Sequence, residues 1–292
     1  RIDLLDINYL YMPWIDPTFK ENYLEKDENY ILRYNYDDRL IVRTGYSYTY
    51  NSAGQALMNN SVMGNSYTIR FNFESAGNLL YAAAQIARMK KNEKDEYTLL
   101  NIPFAQYLKG DFDFAKNVVI DNRNSLAFHF GAGIAIPYGN ATIIPFEKRY
   151  FSGGANSVRG WSVRNLGPGS FPGDGNFLNQ SGDIKLDASI EYRTRLFWKF
   201  RGAIFVDAGN IWTLRDYKDQ PGGKFKFNEF YKQIAVAYGL GLRMDLDFFV
   251  LRFDAGMKAI DPVYKKGKGR YPIIHPDFGR DLTFHFAVGY PF

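Results

Sequence analysis

The 292-residue chain has no cysteine and only three histidines. The first absence removes disulfide frameworks, thiolate metal sites and a cysteine nucleophile, and leaves the redox compartment unreadable. His129, His275 and His285 include no pair at a helical metal-ligand spacing such as H-E-x-x-H, so no metal site is expected. No apolar run reaches the ~18 residues a membrane-spanning helix needs, which excludes a bundle of such helices. The mean hydropathy of −0.33 agrees. Charge of one sign is also scarce. The 36 Lys and Arg against 31 Asp and Glu leave a formal +5, too slight without clustering to argue for a nucleic-acid partner. The chain opens on Arg1 with no initiator methionine and no apolar leader, as expected of a processed chain or of a piece of a longer one.

What the chain does have is aromatic surface and alternation. Tyr and Phe number 22 and 25, and glycine 27. In residues 234–246 every even position is apolar, from Ile234 through Val236, Tyr238, Leu240, Leu242 and Met244 to Leu246; the odd positions carry Ala, Gly, Arg243 and Asp245. The next segment repeats the pattern, Phe249, Leu251, Phe253, Ala255 and Met257 opposing Arg252, Asp254, Gly256 and Lys258, which predicts a hairpin with a tight turn near Asp247. Residues 126–138 and 184–192 alternate likewise, and further strands are predicted at 40–50, 67–73, 104–114, 202–212 and 282–292, with a weaker one at 7–14. That makes about ten strands, several of them long enough to cross a bilayer at a tilt. Connections near 115–124, 197–200 and 245–248 are short, whereas 78–103, 140–181, 214–232 and 261–281 are long, the arrangement of periplasmic turns and outer loops in a transmembrane barrel. A helix is predicted over residues 79–91 inside one long loop. A soluble sandwich or lipocalin-like barrel is disfavoured because so large an apolar face would aggregate in water.

Catalytic chemistry finds little support. No nucleophile motif marks a Ser-His-Asp constellation, and Gly153-Gly154 is followed by no Lys-Ser or Lys-Thr and no strand-to-helix context, so it is not a phosphate loop. The segment those glycines open is still the most informative. It reads Arg149-Tyr150-Phe151-Ser152-Gly153-Gly154-Ala155-Asn156-Ser157-Val158-Arg159-Gly160-Trp161.

This run resembles the lid-loop signature of the outer-membrane assembly-barrel superfamily typified by the central barrels of the BAM and TAM machineries. Ile190-Glu191-Tyr192-Arg193 resembles that family's E-x-R strand motif, Phe205-Val206-Asp207-Ala208-Gly209 its F-x-D-x-G motif, and the terminal Phe292 its aromatic sorting signal. The wording NSVRGW followed by LGPGS leans toward the TAM-type subgroup.

The resemblance implies an all-β, transmembrane antiparallel barrel of the outer-membrane type, here the C-terminal part of a sixteen-stranded barrel, with five strands after the lid loop and about five before it. The resemblance rests on residues from about Leu126 to the end, the earlier part matching only by pattern; the barrel portion would span residues 1–292 with the lid at 140–181, and a complete ten-stranded barrel is the alternative. Lid residues Gly153, Gly154, Val158, Arg159, Gly160 and Trp161 would fold back onto the lumen partners Glu191, Arg193, Phe205, Asp207 and Gly209. By parity Leu282, Phe284, Phe286, Val288, Tyr290 and Phe292 would face lipid, with Thr283, His285, Ala287, Gly289 and Pro291 facing in. Phe284, Phe286, Gly289, Tyr290 and Phe292 would form the C-terminal strand signal, and Pro291 sits where pairing fails. The implied work is assembly or translocation of client outer-membrane proteins through a lateral seam, without enzymatic activity, cofactor or nucleic acid. Outer-membrane lipids and client proteins are the expected partners, with room for periplasmic or inner-membrane accessory subunits. A two-partner-secretion translocator, the barrel anchor of a patatin-like lipase and a passive pore are the alternatives.

Overall fold

The computed structural model describes residues 1–12, 14–24, 30–53, 65–173, 179–246 and 248–292. Ten strands form one antiparallel sheet in sequence order: β1 (Ile2–Leu10), β2 (Arg39–Asn51), β3 (Ser66–Ala76), β4 (Tyr107–Val119), β5 (Asn124–Pro137), β6 (Ile184–Arg195), β7 (Phe200–Trp212), β8 (Ala235–Asp245), β9 (Val250–Ile260) and β10 (Leu282–Val288). Every strand pairs with its sequence neighbour, and β1 and β10 are the two edges. Among the described residues no helix is long and apolar enough to cross a membrane.

Alternation sorts the two faces. On β7, Ile204 and Val206 are 58% and 47% exposed while Phe205 and Asp207 between them are each 1% exposed. Leu240, Phe253, Phe284 and Phe286 continue the outward apolar face across β8 to β10. In hydrocarbon each such side chain is stabilised by about 1.5–3 kcal/mol relative to water. The inner face carries the charges, the division an outer-membrane barrel makes.

Short connections at 120–123, 196–199 and 246–249 lie at one end of the sheet. Asp247, at the expected tight turn, lies outside the described residues, but Asp245 pairs with Val250 across it. The β2–β3 connection, residues 52–65, is longer than the others at that end, so the alternation of short and long is not strict. At the other end the long connections fold over the inner face. Ile31, Tyr34, Ile143 and Tyr217 from three of them make one buried cluster.

Four sequence expectations shift. The first strand is Ile2–Leu10 rather than 7–14, because a bulge between Asp3 and Asp6 breaks the period of two on which strand reading depends. The fourth strand runs three to five residues later than 104–114, after Phe104 and Ala105 have gone into the core. The loop helix spans Asn78–Ile86 and stops at Ala87, with Arg88 at φ +50°. The last strand ends at Val288. Gly289 takes φ +88°, a conformation costly for any residue with a Cβ, while its N–H donates to the carbonyl of Val250 at 2.7 Å. The four terminal residues therefore leave the sheet, and Tyr290 and Phe292 do not face outward with Phe284 and Phe286.

Candidate functional site

Between β5 and β6, residues 138–183 leave the sheet and return across its inner face. The segment is short of regular structure: a 3-10 turn at Phe146–Lys148, then bridges from Tyr150 to Gly182 and from Ser152 to Leu166. Gly153 and Gly154, both near φ +90°, turn the chain, and the N–H of Gly154 donates to Trp161 O at 2.8 Å, closing a loop with Arg159 at its tip. Val158, Trp161 and Leu166 are buried against Ala235 and Ala237 of β8.

Arg159 is 1% exposed and reaches three strands. Its Nε donates to Asp207 Oδ2 at 2.7 Å and its Nη2 to Asp207 Oδ1 at 2.8 Å, a two-pronged grip on a carboxylate of β7. Its Nη1 donates to Glu191 Oε2 of β6 at 2.6 Å and lies 3.6 Å from Asp254 Oδ2 of β9. The guanidinium carbon sits 3.4 Å from the centre of the Phe205 ring, a stacking position that a planar cation fills and an ammonium does not. Burial works against the charge, but the bonds to Asp207 and the charges of Asp207 and Glu191 overcome it and hold the guanidinium above its ordinary pKa.

The wall answers with charges of its own. Arg243 of β8 donates to Glu191 at 2.9 Å and to Asp254 at 2.5 Å, and Arg193 donates to Glu191 at 2.8 Å. Arg252 reaches Asn156 of the folded-back segment at 2.5 Å. Four guanidinium groups thus share three carboxylates. A single cation beside three buried carboxylates would leave two negative charges without water, and the three further arginines offset them.

Two backbone carbonyls of the segment are also gripped. His285 Nε2 lies 2.9 Å from Arg159 O, and Thr283 Oγ1 donates to Gly160 O at 3.2 Å, so the edge strand β10 is bonded to the tip. Gly256 lies beneath the same carbonyl. A Cβ there would fall 2.0 Å from Arg159 O, so only glycine lets the tip sit this close.

The stem of the segment meets the early strands. Lys148 Nζ lies 2.9 Å from Glu74 of β3, which also holds Arg43 of β2 at 2.9 Å and accepts from the Tyr107 hydroxyl. Tyr150 donates to Asp111 at 2.6 Å, and Lys109 donates to Lys148 O at 3.0 Å while lying over the Tyr150 ring.

Of the residues singled out from sequence, the structure brings Val158, Arg159, Trp161, Glu191, Phe205 and Asp207 into one cluster with Gly160, whose open side faces Ala237. Gly209 stands apart from it: the atoms nearest a Cβ there belong to Leu186 and Asp187 of the neighbouring strand. Arg193 touches Glu191 but turns its guanidinium toward Tyr290 and Phe292, at 4.6 and 5.4 Å. Phe292 stacks on His129 at 5.1 Å, and His129 lies between Asp113, at 2.6 Å, and Asp187, at 3.4 Å. Sequence reasoning missed Asp254, Arg243, Arg252, Lys148, Tyr150 and Glu74 as site residues. The signal for the first three was present, as charges at inward parity on β8 and β9.

The Omp85 superfamily domain model matches residues 17–292. Over 96 residues the chain is 33% identical to outer membrane protein assembly factor BamA of Neisseria meningitidis, covering 30% of this chain and 12% of that protein. It is 28% identical over 149 residues to sorting and assembly machinery component 50 homolog A of Xenopus laevis, covering 48% and 30%. The chain therefore spans less than a third of either relative. Among solved structures, BamA from Haemophilus ducreyi lacking POTRA domains 1–3 aligns at TM-score 0.45 and 17% identity, over 86% of this chain and 54% of that one. CdiB from Acinetobacter baumannii aligns at TM-score 0.33 and 13% identity, over 85% and 42%.

Proposed function

Since this chain belongs to the Omp85 superfamily, and is thus an outer-membrane barrel protein, we propose that it works in assembly or translocation of other outer-membrane proteins, with residues 138–183 as a lid locked inside the barrel. The observation that carries the reading is Arg159, buried and bound to Asp207 and Glu191 at 2.6–2.8 Å. A loop that merely decorated the outer surface would keep its arginine in water, where a charge is far cheaper than in the interior.

The second element is the edge. β10 has seven residues against eleven to fourteen in β5 to β9, and it is an edge of the described sheet. A short edge strand of this kind can template another, and a client strand would pair along it. Thr283 and His285 bond the lid to this strand, so a lid that moves pulls on the edge that pairs. The work then needs no nucleotide: each client hydrogen bond made in hydrocarbon replaces an unsatisfied group that costs several kcal/mol, an order-of-magnitude figure of about 4.

The finer assignment to a TAM-type role follows the lid wording NSVRGW and LGPGS. Depletion of the full-length protein in its own cells tests the function. The abundance of other barrel proteins, measured by quantitative proteomics of the outer-membrane fraction, is expected to fall severalfold; unchanged levels of every barrel protein contradict the proposal.

A further inference from the structure

The connections at 213–234 and 261–281 hold ten cationic residues against six carboxylates, so four of the chain's formal +5 sits in these two loops. Two of the carboxylates are already engaged: Asp261 is buried with Lys258 at 3.0 Å, and Asp281 is buried with Arg280 at 2.7 Å. Lys226 pairs with Glu229 at 3.1 Å on the surface, a contact worth little in water. Lys232, Lys265, Lys266 and Lys268 have no carboxylate within ion-pair distance among the described residues.

These cations converge. A groove of about 460 Å³ is lined by Lys226, Lys232, Lys265 and Arg270, with Ser170 of the folded-back segment on one wall and Glu229 the only carboxylate among the described residues lining it. Arg270 is fixed there by donating to the carbonyls of Asp261, at 3.3 Å, and Lys232. Four positively charged side chains held around a cleft against one carboxylate repel one another, and an anion removes that cost.

Position and neighbours choose the anion. Gln233 and Pro262, which also line the groove, lie within three residues of the paired ends of β8 and β9, where Val236 meets Ile260. The groove therefore sits at the rim where the strands leave hydrocarbon. Phe227 and Tyr231, adjacent in sequence to Lys226 and Lys232, are 83% and 60% exposed, and aromatic rings of this kind settle at the headgroup level of a membrane. Four residues down β8 from Val236, or about 13 Å at ~3.3 Å per residue, Leu240 begins an apolar depression of about 500 Å³ shared with Leu242, Phe253, Phe284 and Phe286. Cations at the rim above an apolar hollow on the same strands match a molecule with a phosphate head and acyl chains.

We propose that this groove binds the phosphate groups of an anionic glycolipid of the outer leaflet, seating it over β8 and β9. The site rests on the barrel reading of the fold and on the docked position of the folded-back segment, whose Ser170 lines one wall, but not on client assembly, so its failure is distinguishable from that of the assembly reading. By anchoring lipid beside β10, it fixes the membrane against the part of the sheet next to the edge strand.

The test uses the full-length protein in detergent micelles and native mass spectrometry with a diphosphorylated glycolipid, lipid A, against its dephosphorylated form. The phosphorylated lipid is expected to bind at least tenfold more tightly, and the triple variant Lys226→Gln, Lys232→Gln and Lys265→Gln is expected to lose most of that difference while its heat stability stays unchanged. Equal binding of the two lipids, or a triple variant that binds like the parent, overturns the proposal. Inorganic phosphate at millimolar concentration serves as a second arm: full displacement of lipid assigns the groove to free phosphate and overturns the lipid source. An acidic peptide that displaces lipid equally well assigns the groove to a protein partner, with the same consequence.

Discussion

The folded-back segment is tied to the sheet at two places by the same kind of bond in two kinds of surroundings. At its tip, Arg159, Glu191 and Asp207 have side chains no more than 1% exposed. At its stem, Lys148 is 17% and Glu74 14% exposed. Water reaches the stem and re-solvates either partner when the other is lost, whereas at the tip a lone charge has nowhere to go. The difference lies less in how strongly each pair attracts than in what remains when it is broken. It predicts that the late strands β6 to β10 set whether the segment is docked, and that the early strands tune it.

The comparison is broken or sharpened by variants of the full-length protein, followed by loss of the folded barrel on heating in detergent. Arg159→Ala strands the buried carboxylate of Asp207, while Glu191 and Asp254 keep Arg243, and is expected to cost about 3–5 kcal/mol, with Arg159→Lys recovering only part because an ammonium cannot grip Asp207 twice or stack on Phe205. Gly256→Ala pushes a methyl into Arg159 O and is expected to cost about 1–3 kcal/mol. Tyr150→Phe removes one hydrogen bond to Asp111 and should cost about 0.5–1.5 kcal/mol. Lys148→Gln, at the wet stem, should cost about 0.2–1 kcal/mol. Salt separates the ends further: at about 1 M the Debye length is near 3 Å, so the Lys148→Gln cost should vanish while that of Arg159→Ala persists. Equal salt response at both ends would remove the distinction between them.

The same two regions differ in how plainly the sequence shows them. From β5 onward apolar and polar residues mostly alternate, so strands, faces and the inward parity of Glu191 follow from spacing, while in β7, where Ala203-Ile204-Phe205-Val206 runs apolar, the parity of Asp207 is set by its neighbours Gly209 and Val206. At β1 two apolar residues in succession, Leu4 and Leu5, sit at a bulge, and the period is lost. The charges of β8 and β9 were visible as inward residues, but nothing in one dimension says that Arg243 on one strand and Asp254 on the next share Glu191 and Arg159; that needs the register. The stem was hidden more deeply. Lys148 and Glu74 are 74 residues apart and belong to no motif. Tyr290 and Phe292 follow the parity of β10 on paper, and one glycine at positive φ turns them inward onto Arg193 and His129.

The central claim is that Arg159 locks residues 138–183 inside the barrel, and single-channel recording of the full-length protein in planar bilayers tests it most directly. The account predicts a mostly closed parent protein, a severalfold rise in mean conductance for Arg159→Ala, and an intermediate value for Arg159→Lys. Conductance in Arg159→Ala equal to that of the parent would contradict it, since a pore indifferent to that arginine has no lid held by it.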